Sequence, residues 1–121
     1  MKQSRTLKDL ISLSCSVKIY VPSTASVANN MNSDERERFL TSTLAMLSNY
    51  FGGATAYEAL GSWVSKEEGL VKERVTICDS FCDSIKLESH ISSVISYCES
   101  LRDDMGQEAI ALEVNNVLHF V

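Results

Sequence analysis

Gly52-Gly53 constrains this chain more than any other pair of residues, because a helix has to end there and a strand has to begin. Glycine costs a helix interior about 1 kcal/mol relative to alanine, and its left-handed conformation closes a helix end. Before the pair, Leu40, Leu44, Leu47 and Phe51 recur at helical spacing, with Phe39 and Tyr50 beside them. Beyond it come two extended runs, 54–64 and 70–79, separated by Ser65-Lys66-Glu67-Glu68-Gly69. Two such runs joined by a short polar segment ending in glycine read as a β-hairpin. Setting Trp63 opposite Val71 aligns Gly61 with Glu73, Ala59 with Val75 and Tyr57 with Ile77.

The flanking segments repeat the logic. Val17, Ile19 and Val21 alternate with Lys18 and Tyr20, the period of a half-buried strand over 16–21, and Pro22 stops it. Residues 23–32 are rich in Ser, Asn and Ala and read as a loop. The first helix is expected over 34–51, capped by Ser33 or Asp34. Residues 80–86 read as a second loop. A second helix over 87–105 carries Ile91, Val94, Ile95, Cys98, Leu101 and Met105 as one stripe, ended by Gly106. A strand over 108–114, a tight turn at Asn115-Asn116 and a short return strand over 117–121 complete the chain.

The order β-α-β-β-α-β predicts a ferredoxin-like α+β sandwich: an antiparallel sheet of order 4-1-3-2, two helices on one face, and a short C-terminal fifth strand. Residues 1–15 are an N-terminal extension, with Leu7, Leu10 and Ile11 on one side of a short amphipathic piece. Residues 16–121 form a single domain, as a chain of 121 residues suggests.

A formal charge of −5 with no run of Lys or Arg argues against nucleic-acid binding, which draws its affinity from phosphate neutralisation. No leader peptide and no stretch of about twenty apolar residues is present, so a cytoplasmic protein without a membrane span is expected. Cys15, Cys78, Cys82 and Cys98 then read as reduced thiols. Cys78, Cys82 and His90 make an incomplete zinc set, so neither metal nor cofactor is expected.

The predicted topology brings Ser23, Thr24, Trp63, Glu73, Gln107 and Glu108 to one sheet end, as candidates for binding a small ligand. It brings Gly52-Gly53-Ala54-Thr55 to the other end, behind a helix C-terminus and without the lysine of a phosphate loop. Lys18, Tyr20, Glu58, Leu60, Lys72 and Arg74 are the candidates for an open interaction face, with Ala56, Ala109 and Ala111 among them. His90 and His119 stand apart, with no triad context, and no nucleophile with an activating base accompanies the carboxylates.

Val17-Lys18-Ile19-Tyr20-Val21-Pro22-Ser23-Thr24, Phe51-Gly52-Gly53-Ala54-Thr55, Gly61-Ser62-Trp63, Gly69-Leu70-Val71-Lys72-Glu73 and Gln107-Glu108-Ala109 together resemble small proteins of phages, plasmids and other prokaryotic mobile elements, over 16–121. The resemblance implies a genomic setting and a counter-defence or regulatory role. It implies no mechanism.

The reading that follows is a small, acidic, cytoplasmic, non-enzymatic module that docks on a partner protein and forms a homodimer through its sheet or through the added terminal strand. The alternative is a binding protein or hydrolase for a nucleotide-like molecule, with its pocket at the Glu73 end and residues 23–32 as a lid. RNA binding on the open sheet is a third reading, with Tyr20 as its one stacking aromatic.

Overall fold

β1 (Cys15–Pro22) buries every second side chain: Val17 and Ile19 are fully buried, and Cys15 and Val21 nearly so. Its two edges are both hydrogen-bonded. Antiparallel to it on one side runs β5 (Gly69–Cys82), paired from Cys15–Cys82 to Pro22–Val75. On the other side runs β6 (Ala111–Val114), paired from Val17–Val114 to Ile19–Leu112. β4 (Thr55–Ser65) flanks β5 and β7 (Val117–Phe120) flanks β6, giving the order β4-β5-β1-β6-β7. Read from its other end, this is the expected 4-1-3-2 order with the terminal strand added outside. The computed structural model describes residues 4–26, 29–30 and 32–121, and for 24–26 and 29–30 the backbone alone.

Helices α1 (Ser33–Phe51) and α2 (Ser84–Asp104) lie on the face to which Val17, Ile19 and Val21 point. Leu47 and Phe51 from α1 meet Val94, Cys98 and Leu101 from α2, with Met105, Ile110 and Leu112 completing the core. Thr43 is also buried. Its hydroxyl donates to the Phe39 carbonyl at 2.8 Å and lies 2.8 Å from the Tyr97 hydroxyl, so the polar atom has partners and ties the helices together.

The helix ends differ in detail from expectation. The α1 cap is Asn32, ahead of both Ser33 and Asp34. Its side-chain oxygen accepts from the Glu35 N–H at 2.9 Å, and its side-chain nitrogen donates to the Glu35 carboxylate at 3.1 Å. Gly52 does close the helix, at φ 95°, donating its N–H to the Ser48 carbonyl at 2.8 Å. α2 starts earlier than residue 87, capped by Asp83, which accepts from the Lys86 N–H at 2.7 Å.

The expected loop at 80–86 is largely strand and helix. β5 continues to Cys82 because β1 still offers ladder partners there, and Ser80 and Cys82 fill the core face. The buried Ser80 hydroxyl donates to the Gly53 carbonyl, joining β5 to the glycine turn. Within 23–32, β2 (Thr24–Ser26) and β3 (Asn29–Asn30) pair as a small second sheet, too short to leave a periodic signal. Residues 27, 28 and 31 of the proposed lid lie outside the described residues. The last main strand starts at Ala111 and not at 108, although Ile110 and Val121 exchange N–H···O bonds of 3.0 and 2.9 Å. Asn115 and Asn116 turn the chain at φ 50° and 67°. Leu7 and Ile11 are exposed, so the amphipathic N-terminal piece does not join the core.

Two predictions follow from this packing. Leu47→Ala is expected to cost about 2–5 kcal/mol in urea denaturation, and Gly52→Ala about 1–2 kcal/mol through its left-handed backbone, both with an unchanged m-value. The second concerns alkaline pH. Burial pushes the Cys78 thiol up to about 11 and the Cys98 thiol up to about 12, from an ordinary 9.0. The unfolded chain therefore releases these protons first. Stability measured under reducing conditions should be level below about pH 9 and fall as pH rises toward 12, less steeply in Cys98→Ala.

Candidate functional site

β1 stops at Pro22 opposite Val75, but the β4–β5 hairpin runs on from Leu60–Arg74 to Ser65–Gly69. At about 3.4 Å per residue, this arm extends roughly 20 Å past the last rung shared with β1. Its register is the expected one throughout, Trp63 on Val71 and Gly61 on Glu73 included. Leu60, Trp63, Val64 and Leu70 on the arm are 64%, 50%, 78% and 61% exposed, an unusual amount of apolar surface for four neighbouring residues.

Of the candidate ligand residues, Ser23, Trp63 and Glu73 border the step between β1 and the arm. The last β1–β5 rung, Pro22–Val75, leaves Ser23 at the strand end next to the start of the arm, and Thr24 enters β2, paired with Asn30. On the other flank the β1–β6 register ends at Ile19–Leu112, and Glu108 lies beyond it in an exposed bend between α2 and β6. Glu73 and Glu108 thus belong to segments on either side of β1, Glu73 on the open face of β5 and Glu108 in the bend that precedes β6. Trp63 sits two residues further along the arm than Gly61. The Thr24 side chain lies outside the described residues. Gln107 is committed to the helix end: its N–H bonds the Arg102 carbonyl at 3.0 Å and its amide donates to the Met105 carbonyl at 3.4 Å.

The candidate interaction face requires a correction. Lys18 and Tyr20 do lie on the open face, away from the helices. Glu58, Leu60, Lys72 and Arg74 lie on the opposite face, because they alternate in register with Cys78, Ser80 and Cys82, which point into the core. Ala56 is on that face too, paired with Cys78. The open face carries the more apolar set: Tyr57, Ala59, Gly61 and Trp63 from β4, with Val71, Glu73, Val75 and Ile77 from β5. Tyr57, Ile77 and Tyr20 share one rung, and Ile77 between the two rings is only 8% exposed.

The charges of the open face are met locally. Tyr20 donates to Glu113 at 2.8 Å, and Lys18 lies 3.6 Å from the same carboxylate. Glu113, then Tyr57 and Asp79, hold the Lys18 ammonium above its ordinary pKa against the opposing effect of burial. The Glu113 hydrogen bond, followed by burial, does the same for the Tyr20 hydroxyl. Asp79, opposite Lys18, keeps one buried oxygen, Oδ1, with no hydrogen-bond partner among the described residues.

The remaining candidates are accounted for by packing. Cys78 and Cys82 point into the core, His90 stacks on Tyr50 with ring centres 4.5 Å apart, and no group of three metal-ligating side chains occurs among the described residues. His119 lines an apolar groove of about 450 Å³ between α2 and β7, with Ile95, Arg102, Leu112 and Val121. Sequence periodicity could not reveal this groove, because it exists only where the terminal strand meets the second helix. No described helix is long and apolar enough to cross a membrane.

No protein-family model and no curated protein matches the chain. Its fold matches solved structures. One is a phage SAM lyase in complex with S-methyl-5′-thioadenosine, with a TM-score of 0.63 and 15% identity over 96% of this chain and 95% of that one. Another is a phage SAM lyase in the apo state, with a TM-score of 0.60 and 16% identity over 98% and 91%. At this identity the likeness is one of fold. It nevertheless overturns the expected non-enzymatic docking module: both of these structures, alike to this chain end to end, are of an enzyme, and one holds a nucleoside. The alternative, a site for a nucleotide-like molecule at one sheet end, is the better supported reading.

Proposed function

We propose that this chain is a lyase of a phage or other mobile element that binds S-adenosylmethionine at the Glu73 end of the sheet and releases S-methyl-5′-thioadenosine. The observation that carries the reading is the end-to-end likeness to a phage SAM lyase holding that nucleoside. We place its action in the cytoplasm, a reading supported by four free cysteines.

The chemistry suits a site without a catalytic triad. S-methyl-5′-thioadenosine keeps the methyl and adenosyl groups of the substrate, so the bond that breaks joins sulfur to Cγ of the amino-acid arm. The electron pair stays on sulfur, which leaves as a neutral thioether and needs no proton. The arm's own carboxylate oxygen closes on Cγ, giving a lactone that keeps the α-ammonium. No protein nucleophile, general acid or water enters the balance.

What the protein must supply is placement and a suitable medium. Positive charge leaves sulfur as the bond breaks, so a carboxylate pressed on the sulfonium would hold the ground state more tightly than the transition state. We therefore assign Glu73 to the ribose hydroxyls and Glu108 to the α-ammonium, whose charge does not change. The sulfonium lies between them. The apolar open face around Val71, Val75 and Trp63 favours the loss of charge at sulfur.

Purified protein incubated with S-adenosylmethionine should form S-methyl-5′-thioadenosine and the lactone in equal amounts, followed by liquid chromatography and mass spectrometry. No product above the buffer rate would end the proposal. Glu73→Gln and Glu108→Gln should each lower kcat/KM about 10- to 100-fold, the worth of one hydrogen bond to a charged group, ~1.5–3 kcal/mol. Most of that loss should appear in KM, since both contacts persist from substrate to transition state.

A further inference from the structure

Gly61 has no evident role in the chain's own packing. It lies inside β4, in a register that runs from Thr55–Asp79 to Ser65–Gly69 without a bulge. Its backbone is not left-handed, unlike that of Gly52, Gly69 and Gly106. A Cβ built there would meet the Glu73 carbonyl oxygen at 3.6 Å and the Val75 Cγ1 at 3.9 Å, ordinary contact distances. Turn, bulge and crowding therefore all fail to explain a residue that weakens a strand interior. A strand glycine of this kind marks a place where a ligand or another backbone comes close.

The surroundings favour a flat ligand. On the open face Gly61 is flanked along β4 by Ala59 and Trp63, and across the ladder by Glu73, with Val71 and Val75 diagonal to it. The missing side chain leaves a shallow floor beside a half-exposed indole, with a carboxylate at its edge. Trp63 supplies an aromatic wall, and Glu73 is an acceptor suited to sugar hydroxyls.

We propose that Gly61 is the specificity-determining floor of the ligand site: the purine ring of an adenine nucleoside lies over its backbone, against Trp63, with the sugar directed to Glu73. The inference rests on the lyase reading of the same site and adds the residue that sets ring size. A side chain at 61 occupies the space of the ring and leaves the Glu73 and Glu108 carboxylates in place.

The test is calorimetric titration of S-methyl-5′-thioadenosine into wild type, Gly61→Ala, Gly61→Leu and Ser62→Leu, with thermal unfolding of each. Ser62 lies on the opposite face of β4, paired with Lys72, and serves as the control. The expected result is cooperative unfolding in all four, wild-type affinity in Ser62→Leu, three- to ten-fold weaker binding in Gly61→Ala, and at least 100-fold weaker binding in Gly61→Leu. A folded Gly61→Leu that binds as tightly as wild type overturns the inference and leaves the lyase reading standing. If Gly61→Leu does not fold, Gly61→Ala decides: weaker binding supports the floor and unchanged binding removes it. Wild type that binds no S-methyl-5′-thioadenosine removes the inference, and turnover of S-adenosylmethionine then decides the lyase reading separately.

Discussion

Packing of Val17, Ile19 and Val21 against the two helices holds the molecule together. These side chains sit between Leu47 of α1 and Val94 and Cys98 of α2 in a single core. Complete burial of each contributes about 1.5–3 kcal/mol. The same strand is hydrogen-bonded along both edges, so the burial that orients β1 also sets the positions of β5 and β6. A strand so placed cannot shift by one residue without turning Lys18 and Tyr20 into the core.

From that anchoring comes the shape of the site. β1 ends at a proline, which cannot continue the ladder, while β5 is free to extend with β4 as a two-stranded arm. At the step between the short strand and the long hairpin stand Ser23, which follows Pro22, and Glu73 and Trp63 on the arm. A site built at a step between strands of unequal length has walls on the arm and a floor on the sheet. It requires no deep cavity inside the core, which is filled by side chains.

The electrostatic arrangement follows the same division. At the middle of the open face, Lys18 and Tyr20 meet Glu113, and the charges there are largely matched within the chain. Toward the arm, Glu73 shares its face with Val71, Val75 and Trp63. Such a pattern offers a poorly solvating surface where charge is to be lost. The chemical step proposed for the chain has that requirement, and it explains why carboxylates without a nucleophile can be sufficient.

Much of this was legible in the residues themselves. The alternation of Val17, Ile19 and Val21, the stripe from Val94 to Met105, the glycine stop at Gly52 and the turn at Asn115-Asn116 all act over a few neighbouring positions. Local chemistry therefore determines them, together with the hairpin register and the order of the sheet. Tertiary structure alone decided which face of the hairpin turns to the helices. Period-two alternation separates Trp63 and Glu73 from Leu60 and Arg74, but it is symmetric as to which set is inside. The choice is made by Cys78, Ser80 and Cys82, which fill the core opposite β1 and leave the more apolar set outside. The same long-range pairing decided how far β5 runs and where the proposed ligand floor lies, because both depend on where a distant strand ends.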